Sequence, residues 1–318
     1  MNATATAAPP IARTRAVEKD FRRDVIRTLL YYDIWRHPLT RAELHAFLPS
    51  RTPGGAEFGR RLARLVRDGW IMEDRGYYAL PDDGENRVER RLRAERHARG
   101  MWIMARCAAH LIKRFPFVRG VLVSGDLSKN ATHPKSDVDF LVLTDPRRVW
   151  IARTLLILFK KTVLLNSKKF FCINAFASVD TLVVQERNVY QATEVAHLKP
   201  LFNTSLFRAY LESNAWIRGY FPNYDPAALL QPRASERSSL VQRLAELPFR
   251  LLPSDRIDAF LMRVMEKVWA RRYPELDDRT RGEIFRCAPG ESRSYGGNFQ
   301  GKILGAYEQK LRQFGVSA

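Results

Sequence analysis

The chain has 318 residues, 46% of them hydrophobic, which is enough for about two domains with real cores and too apolar for a disordered polypeptide. Its 53 lysines and arginines against 34 acids leave a formal net charge of +19, pointing to a polyanionic partner or substrate: nucleic acid, nucleotide or an anionic surface. Cys107, Cys172 and Cys287 lie far apart and form no cluster with the six histidines, so neither a disulfide framework nor a zinc site is expected, and a reducing, cytoplasmic setting is the simplest inference.

Residues 1–17 are small and polar, lack the apolar core of a signal peptide, and are read as a disordered tail. Residues 18–82 carry a compact pattern. Val25, Ile26, Leu29, Leu30 and Ile34 recur at helical spacing up to Pro38. Thr40 with Glu43 three positions on forms a capping-box signature for a short helix Arg41–Phe47. A longer helix, Glu57–Asp68, buries Phe58, Leu62, Leu65 and Val66 and stops at Gly69. Trp70 to Leu80, turning at Asp74-Arg75-Gly76, reads as a β-hairpin. Helix, short helix, longer helix, hairpin is the order of a winged helix-turn-helix, which this stretch resembles. The resemblance implies that the third helix enters the DNA major groove, with Arg60, Arg61, Arg64 and Arg67 as candidate phosphate contacts; the same module also serves protein docking.

Residues 86–188 begin with a helix from Arg87 to Arg114, charged first and apolar later. Phe117–Val123 is a strand candidate that runs into Ser124-Gly125-Asp126-Leu127-Ser128-Lys129-Asn130. A loop through His133-Pro134-Lys135 leads to Asp137-Val138-Asp139 and a second strand, Phe140–Thr144. Residues i and i+2 of a strand share a side, so Asp137 and Asp139 converge on one point. Paired carboxylates there suit Mg²⁺, which takes hard oxygen ligands and substrate phosphates. The glycine turn lets backbone N–H groups approach phosphate, with Ser124 and Ser128 as hydroxyl donors and Lys129 as a positive charge. Arg147–Leu165 reads as a buried crossover helix rather than a membrane span, and Lys169–Ala177 as a third strand.

Strand, Gly turn, a gap of about ten residues, Asp-x-Asp between apolar positions, strand: this order resembles the nucleotidyltransferases of the DNA polymerase beta superfamily. The resemblance covers about residues 87 to 185. It implies a small mixed sheet with helices, an NTP (ATP foremost) held by Ser124, Gly125, Asp126, Ser128 and Lys129, one or two Mg²⁺ on Asp137 and Asp139, and transfer of a nucleoside monophosphate to a hydroxyl. Two departures stand out. Asp126 follows Gly125 where the family has Ser or Gly. The third carboxylate position is filled by Asn174, which carries no charge and is no base, with Asp180 just beyond it.

Residues 189–318 read as a helical C-terminal domain. Thr193, Glu194 and Lys199 are either cleft groups or ordinary capping and surface residues. Val241–Ala270 is an amphipathic stretch broken at Pro253, Arg293–Lys302 a Gly-rich basic loop, and Ile303–Phe314 a final helix. The fold class expected is α+β: winged helix, nucleotidyltransferase core, helical region. Two functions are expected: a Mg²⁺-dependent nucleotidyltransferase with an unidentified acceptor, or a degenerate nucleotide-sensing, DNA-binding regulator without turnover. Neither requires integral membrane association.

Overall fold

The computed structural model describes residues 10–81, 86–165, 171–226, 239–294 and 298–316. It is an α+β protein that divides into two units: residues up to Arg91 with Arg218–Tyr224 and the chain from Ile303 onward, and residues Leu92–Ile217 with Asp225–Lys302. The helical domain expected over 189–318 does not follow these boundaries, because most of that stretch belongs with the preceding sheet and its last helix largely with the N-terminal unit.

The first unit follows the expected order of elements over residues 18–82. Helix α1 (Pro10–Asp33) opens it, so helix already occupies part of the stretch read as a disordered tail, while residues 1–9 lie outside the described residues. A two-residue strand β1 (Leu39–Thr40) precedes α2 (Arg41–Ala46), where the Thr40 capping box forms as expected. Helix α3 (Gly55–Arg67) buries Phe58, Leu62 and Leu65, and the hairpin β2 (Met72–Asp74) and β3 (Tyr77–Ala79) adds to β1 in a sheet of order β1-β3-β2. The sequence did not single out β1; two residues carry no periodicity. Arg91, 3% exposed, donates to Glu43 at 2.8 Å and to the Pro38 carbonyl at 3.3 Å, so a buried guanidinium anchors the capping box from the far end of the unit. Asn223 closes the 50–52 loop with hydrogen bonds at 2.8 and 2.9 Å, and Lys310 pairs with Asp33 at 2.6 Å.

Helix α4 (Arg87–Ile112) leads into the second unit, where Ala98, Met101, Ala105, Ala109 and Ile112 join the core beneath the sheet. The sheet is built from β4 (Val118–Ser124), β5 (Asp139–Thr144), β6 (Cys172–Ser178), β7 (Lys199–Phe202), β8 (Phe285–Ala288) and β9 (Glu291–Ser294), in the order β7-β4-β5-β6-β9-β8. Strand β4 is antiparallel to β5, and β5 is parallel to β6 through the crossover helix α6 (Val149–Thr162). This is the expected mixed sheet. Trp150 and Leu156 of α6 are buried against it, while the segment 166–170, which covers the start of the expected third strand, lies outside the described residues. A four-residue helix α5 (Gly125–Ser128) follows β4.

The remaining helices are α7 (Val189–His197), α8 (Thr204–Ser213), α9 (Leu240–Leu251), α10 (Ser254–Arg272), α11 (Asp278–Ile284) and α12 (Phe299–Gln313). Asp258 of α10 accepts from the Trp150 and Ile151 backbone N–H groups at 2.9 and 2.8 Å and so caps α6 from 107 residues away, a job usually done by the residue preceding a helix. Three strands, β7, β8 and β9, lie where only helices and loops were expected; residues 295–297 of the Gly-rich loop lie outside the described residues.

Candidate active site

Ser124 and Asp139 are partners in the β4–β5 register, and Asp139 and Cys172 are partners in the parallel β5–β6 register, so three strands meet at one end of the sheet. The carboxylate oxygens of Asp137 and Asp139 and the Cys172 sulfur all lie within 4.8 Å of one another. Gly125, at φ +64°, turns the chain over this cluster: a Cβ there would sit 2.5 Å from Asp139 Oδ2. Only glycine adopts that backbone at little cost and leaves room for the carboxylate.

Asn174 Nδ2 donates to Asp139 Oδ1 at 2.7 Å, and Cys172 Sγ donates to Asn174 Oδ1 at 3.3 Å. Asn174 thus occupies the face foreseen for a third carboxylate but turns its amide nitrogen, not its oxygen, towards Asp139. It orients that carboxylate rather than adding a metal-ligating oxygen. Asp180, the alternative, lies beyond the far end of β6, roughly 20 Å along the strand from Cys172, and accepts from Ser178 instead.

Burial raises the Asp139 carboxyl from 3.8 to about 7, and the neighbouring charge of Asp137, with smaller contributions from Asp126 and Glu194, adds to the effect. Burial likewise pushes the Cys172 thiol up to about 12, with the two aspartates reinforcing it and Lys160 opposing. A neutral thiol is a poor ligand for a hard cation. Two crowded, half-buried carboxylates are the group that a divalent cation would relieve, so Asp137 and Asp139 fit Mg²⁺ and Cys172 does not add to the fit. In metal-free protein Asp139 binds its proton more tightly folded than unfolded, so its contribution favours the fold at low pH and is lost as pH rises from about 4 to about 7. We expect the urea midpoint in chelator to fall across that window, and Asp139→Asn to flatten the fall; an unchanged slope in the variant would remove the assignment.

The expected phosphate-binding loop is largely engaged with its own chain. Ser128, 3% exposed, donates to the Gly125 carbonyl at 2.8 Å, so its hydroxyl serves the turn and is not offered to a ligand. Lys129 reaches the same carbonyl at 3.5 Å and pairs with Glu194 of α7 at 2.9 Å. Its charge is therefore balanced, and a bound phosphate has to compete with Glu194. Asp126 does not meet Lys129; it accepts from Ser136 at 2.8 Å and ties down the loop before Asp137. That loop is also held from α4, where His97 meets Thr132 at 2.9 Å and Trp102 donates to Asn130 at 2.8 Å. Ser124 caps no helix N–H with its side chain. Of the residues the sequence left ambiguous, Glu194 belongs to the site, whereas Thr193 is buried and donates to the Val189 carbonyl. Cys172 was passed over because cysteines were read only for Cys/His spacing; its i, i+2 relation to Asn174 was the signal that places it on the same face.

In the first unit, Arg60, Arg64 and Arg67 are on the exposed face of α3, with Arg60 bound to Glu57 at 2.6 Å and Arg64 paired with Glu18. Arg61 is different: its guanidinium lies 3.9 Å over the Phe21 ring, and burial lowers its pKa. It stitches α3 to α1 and does not belong with the phosphate-contact candidates.

Comparison of the chain with protein-family models, with curated proteins and with solved structures returned no match.

Proposed function

We propose that the second unit is a Mg²⁺-dependent nucleotidyltransferase that moves a nucleoside monophosphate from an NTP, ATP foremost, to a hydroxyl acceptor. The observation that carries this reading is the convergence of Asp137 and Asp139 under the Gly125 turn. Those two carboxylates would hold the metal, which when bound neutralises triphosphate charge and stabilises the attacking and leaving oxygens. Asn174 orients Asp139, and the packed loop 130–136 fixes Asp137. Lys129 becomes available to phosphate when Glu194 is displaced. Acceptor oxygen and α-phosphorus form the new bond, pyrophosphate leaves, and the acceptor proton passes to a basic oxygen at the site; positioning and charge neutralisation supply the rate. Small molecules, protein side chains and RNA ends are all acceptors of the right chemistry.

The test is calorimetry of NTP binding with and without Mg²⁺, on the native chain and on Asp137→Ala with Asp139→Ala. Mg²⁺-dependent binding that the double variant loses supports the reading, and its absence in the native chain overturns it. A second reading, a nucleotide sensor without turnover, is favoured by the Asn174 amide and the Lys129–Glu194 pair; it predicts the same binding with no pyrophosphate release.

For the first unit we propose a winged helix-turn-helix that contacts duplex DNA through α3. Arg60→Glu with Arg67→Glu should weaken binding across sequences and make log Kobs against log salt shallower by about two. Gel-shift titrations of the full chain at several ionic strengths measure this, and a native chain with no salt-sensitive shift would leave protein docking as its role.

A further inference from the structure

Helix α9 is inside out. Two polar side chains face the protein beside Phe249, which packs on the Phe117 ring at 5.3 Å: Gln242, fully buried, donates to the carbonyls of Phe115 at 3.0 Å and Val118 at 2.5 Å, and Glu246 accepts from the Phe117 N–H and the Arg119 guanidinium, both at 2.8 Å. Five apolar side chains face out, as do Arg243 and Arg250: Leu240 is 75% exposed, Leu244 65% and Leu251 90%, with Val241 and Leu247 between them. The next helix continues the pattern, with Phe260, Val264 and Val268 exposed one turn apart. An amphipathic helix normally buries its apolar stripe; here specific hydrogen bonds hold the opposite orientation, so the leucine face is presented by the fold and is not an accident of a loose helix.

Beside this face, between the start of β4, the β5–α6 turn and the α9–α10 turn, lies a cleft of about 710 Å³. Arg119 and Arg148 line it but are spent on Asp145, Glu246 and Asp255. Arg250 and Arg256 also line it, are exposed, and have no acidic partner among the described residues. Apolar side chains flanked by arginines, on a chain of net charge +19, match an interface of acyl chains and anionic headgroups. A second copy would bring the same arginine rim against this one, which disfavours self-association.

We infer that the α9–α10 face is a docking surface for an anionic lipid bilayer, with the leucines at the acyl boundary and Arg250 and Arg256 at headgroup phosphates. Among the described residues no helix is long and apolar enough to cross a membrane. The cleft lies at the Val118 end of β4 and the Asp137–Asp139 cluster at the Ser124 end, about 20 Å apart along the strand, so docking leaves the candidate active site open.

The experiment is cosedimentation of the full chain with phosphatidylcholine vesicles, with and without phosphatidylglycerol. Three chains are compared: native, Leu244→Glu with Leu251→Glu, and Arg250→Glu with Arg256→Glu. All four positions are exposed, and circular dichroism checks that the variants fold. The native chain should sediment with the phosphatidylglycerol vesicles only, and each variant should bind them at least about tenfold more weakly. A native chain that ignores anionic vesicles overturns the inference. So does a leucine variant that binds as well as the native chain, or light scattering showing that the leucine pair abolishes a dimer of the native chain and not its vesicle binding.

Discussion

Gly125→Ala should cost the second unit roughly 2–5 kcal/mol, from about 1–2 for a side chain in left-handed backbone and about 1–3 for overpacking. The loss should not stop at stability. The new Cβ would press on Asp139 Oδ2, 2.5 Å away, and the only relief is to move the carboxylate or open the turn. Asp139 is held on its other oxygen by Asn174 at 2.7 Å, so displacing it breaks that bond as well. We therefore expect Mg²⁺-dependent nucleotide binding to vanish in Gly125→Ala at temperatures where the variant is still folded. Urea titration and calorimetry on the same preparation separate the two effects. A folded variant with native nucleotide affinity would show that the turn and the carboxylate are not coupled.

Trp150→Ala should be the most destabilising single truncation in the second unit, at about 3–5 kcal/mol. Trp150 is 1% exposed, packs edge-on against Trp269 at 6.1 Å and donates its indole N–H to the Ala288 carbonyl at 2.9 Å. Arg153 lies against both indoles, 5.7 and 5.1 Å from the ring centroids, and burial lowers its pKa to about 10. Removing Trp150 leaves a cavity, a carbonyl without its indole donor and a guanidinium stripped of part of its aromatic contact. Trp150→Phe should recover most of the packing and none of the hydrogen bond. Urea midpoints of the two variants would measure each part, and near-native stability of Trp150→Ala would mean that α10 and β8 collapse into the space.

The candidate site was legible where chemistry rests on neighbours in sequence. Asp137, two residues before the first residue of β5, converges with Asp139 as the i, i+2 spacing of extended backbone expects, Gly125 sits at a turn, and the strands around them carry continuous apolar runs, so position and direction follow from local rules. What was not legible depends on partners far along the chain. Lys129 meets Glu194, 65 residues on, and the sequence offers no means of pairing them. Strands β7, β8 and β9 read KPLF, FRCA and ESRS, too short and too polar for an alternation signal, and they are strands because an edge of the sheet is offered to them. Helix α9 was readable as amphipathic, but the usual rule assigns its apolar side to the core; buried partners for Gln242 and Glu246 reverse it, and those are carbonyls, an N–H and an arginine that no periodicity reveals. Arg61 was misplaced for a related reason, since a long basic side chain on a helix can lie over a ring as readily as reach solvent.

The order β7-β4-β5-β6-β9-β8 has a consequence for the nascent chain. Strand β6 is complete at Ser178, but its neighbour β9 begins only at Glu291. At about 5–20 residues per second of synthesis, the β6 edge stays open for on the order of ten seconds, a window in which a β-rich intermediate invites pairing with other chains. A ribosome stalled late in the interval between those two strands would hold the sheet in that unprotected form.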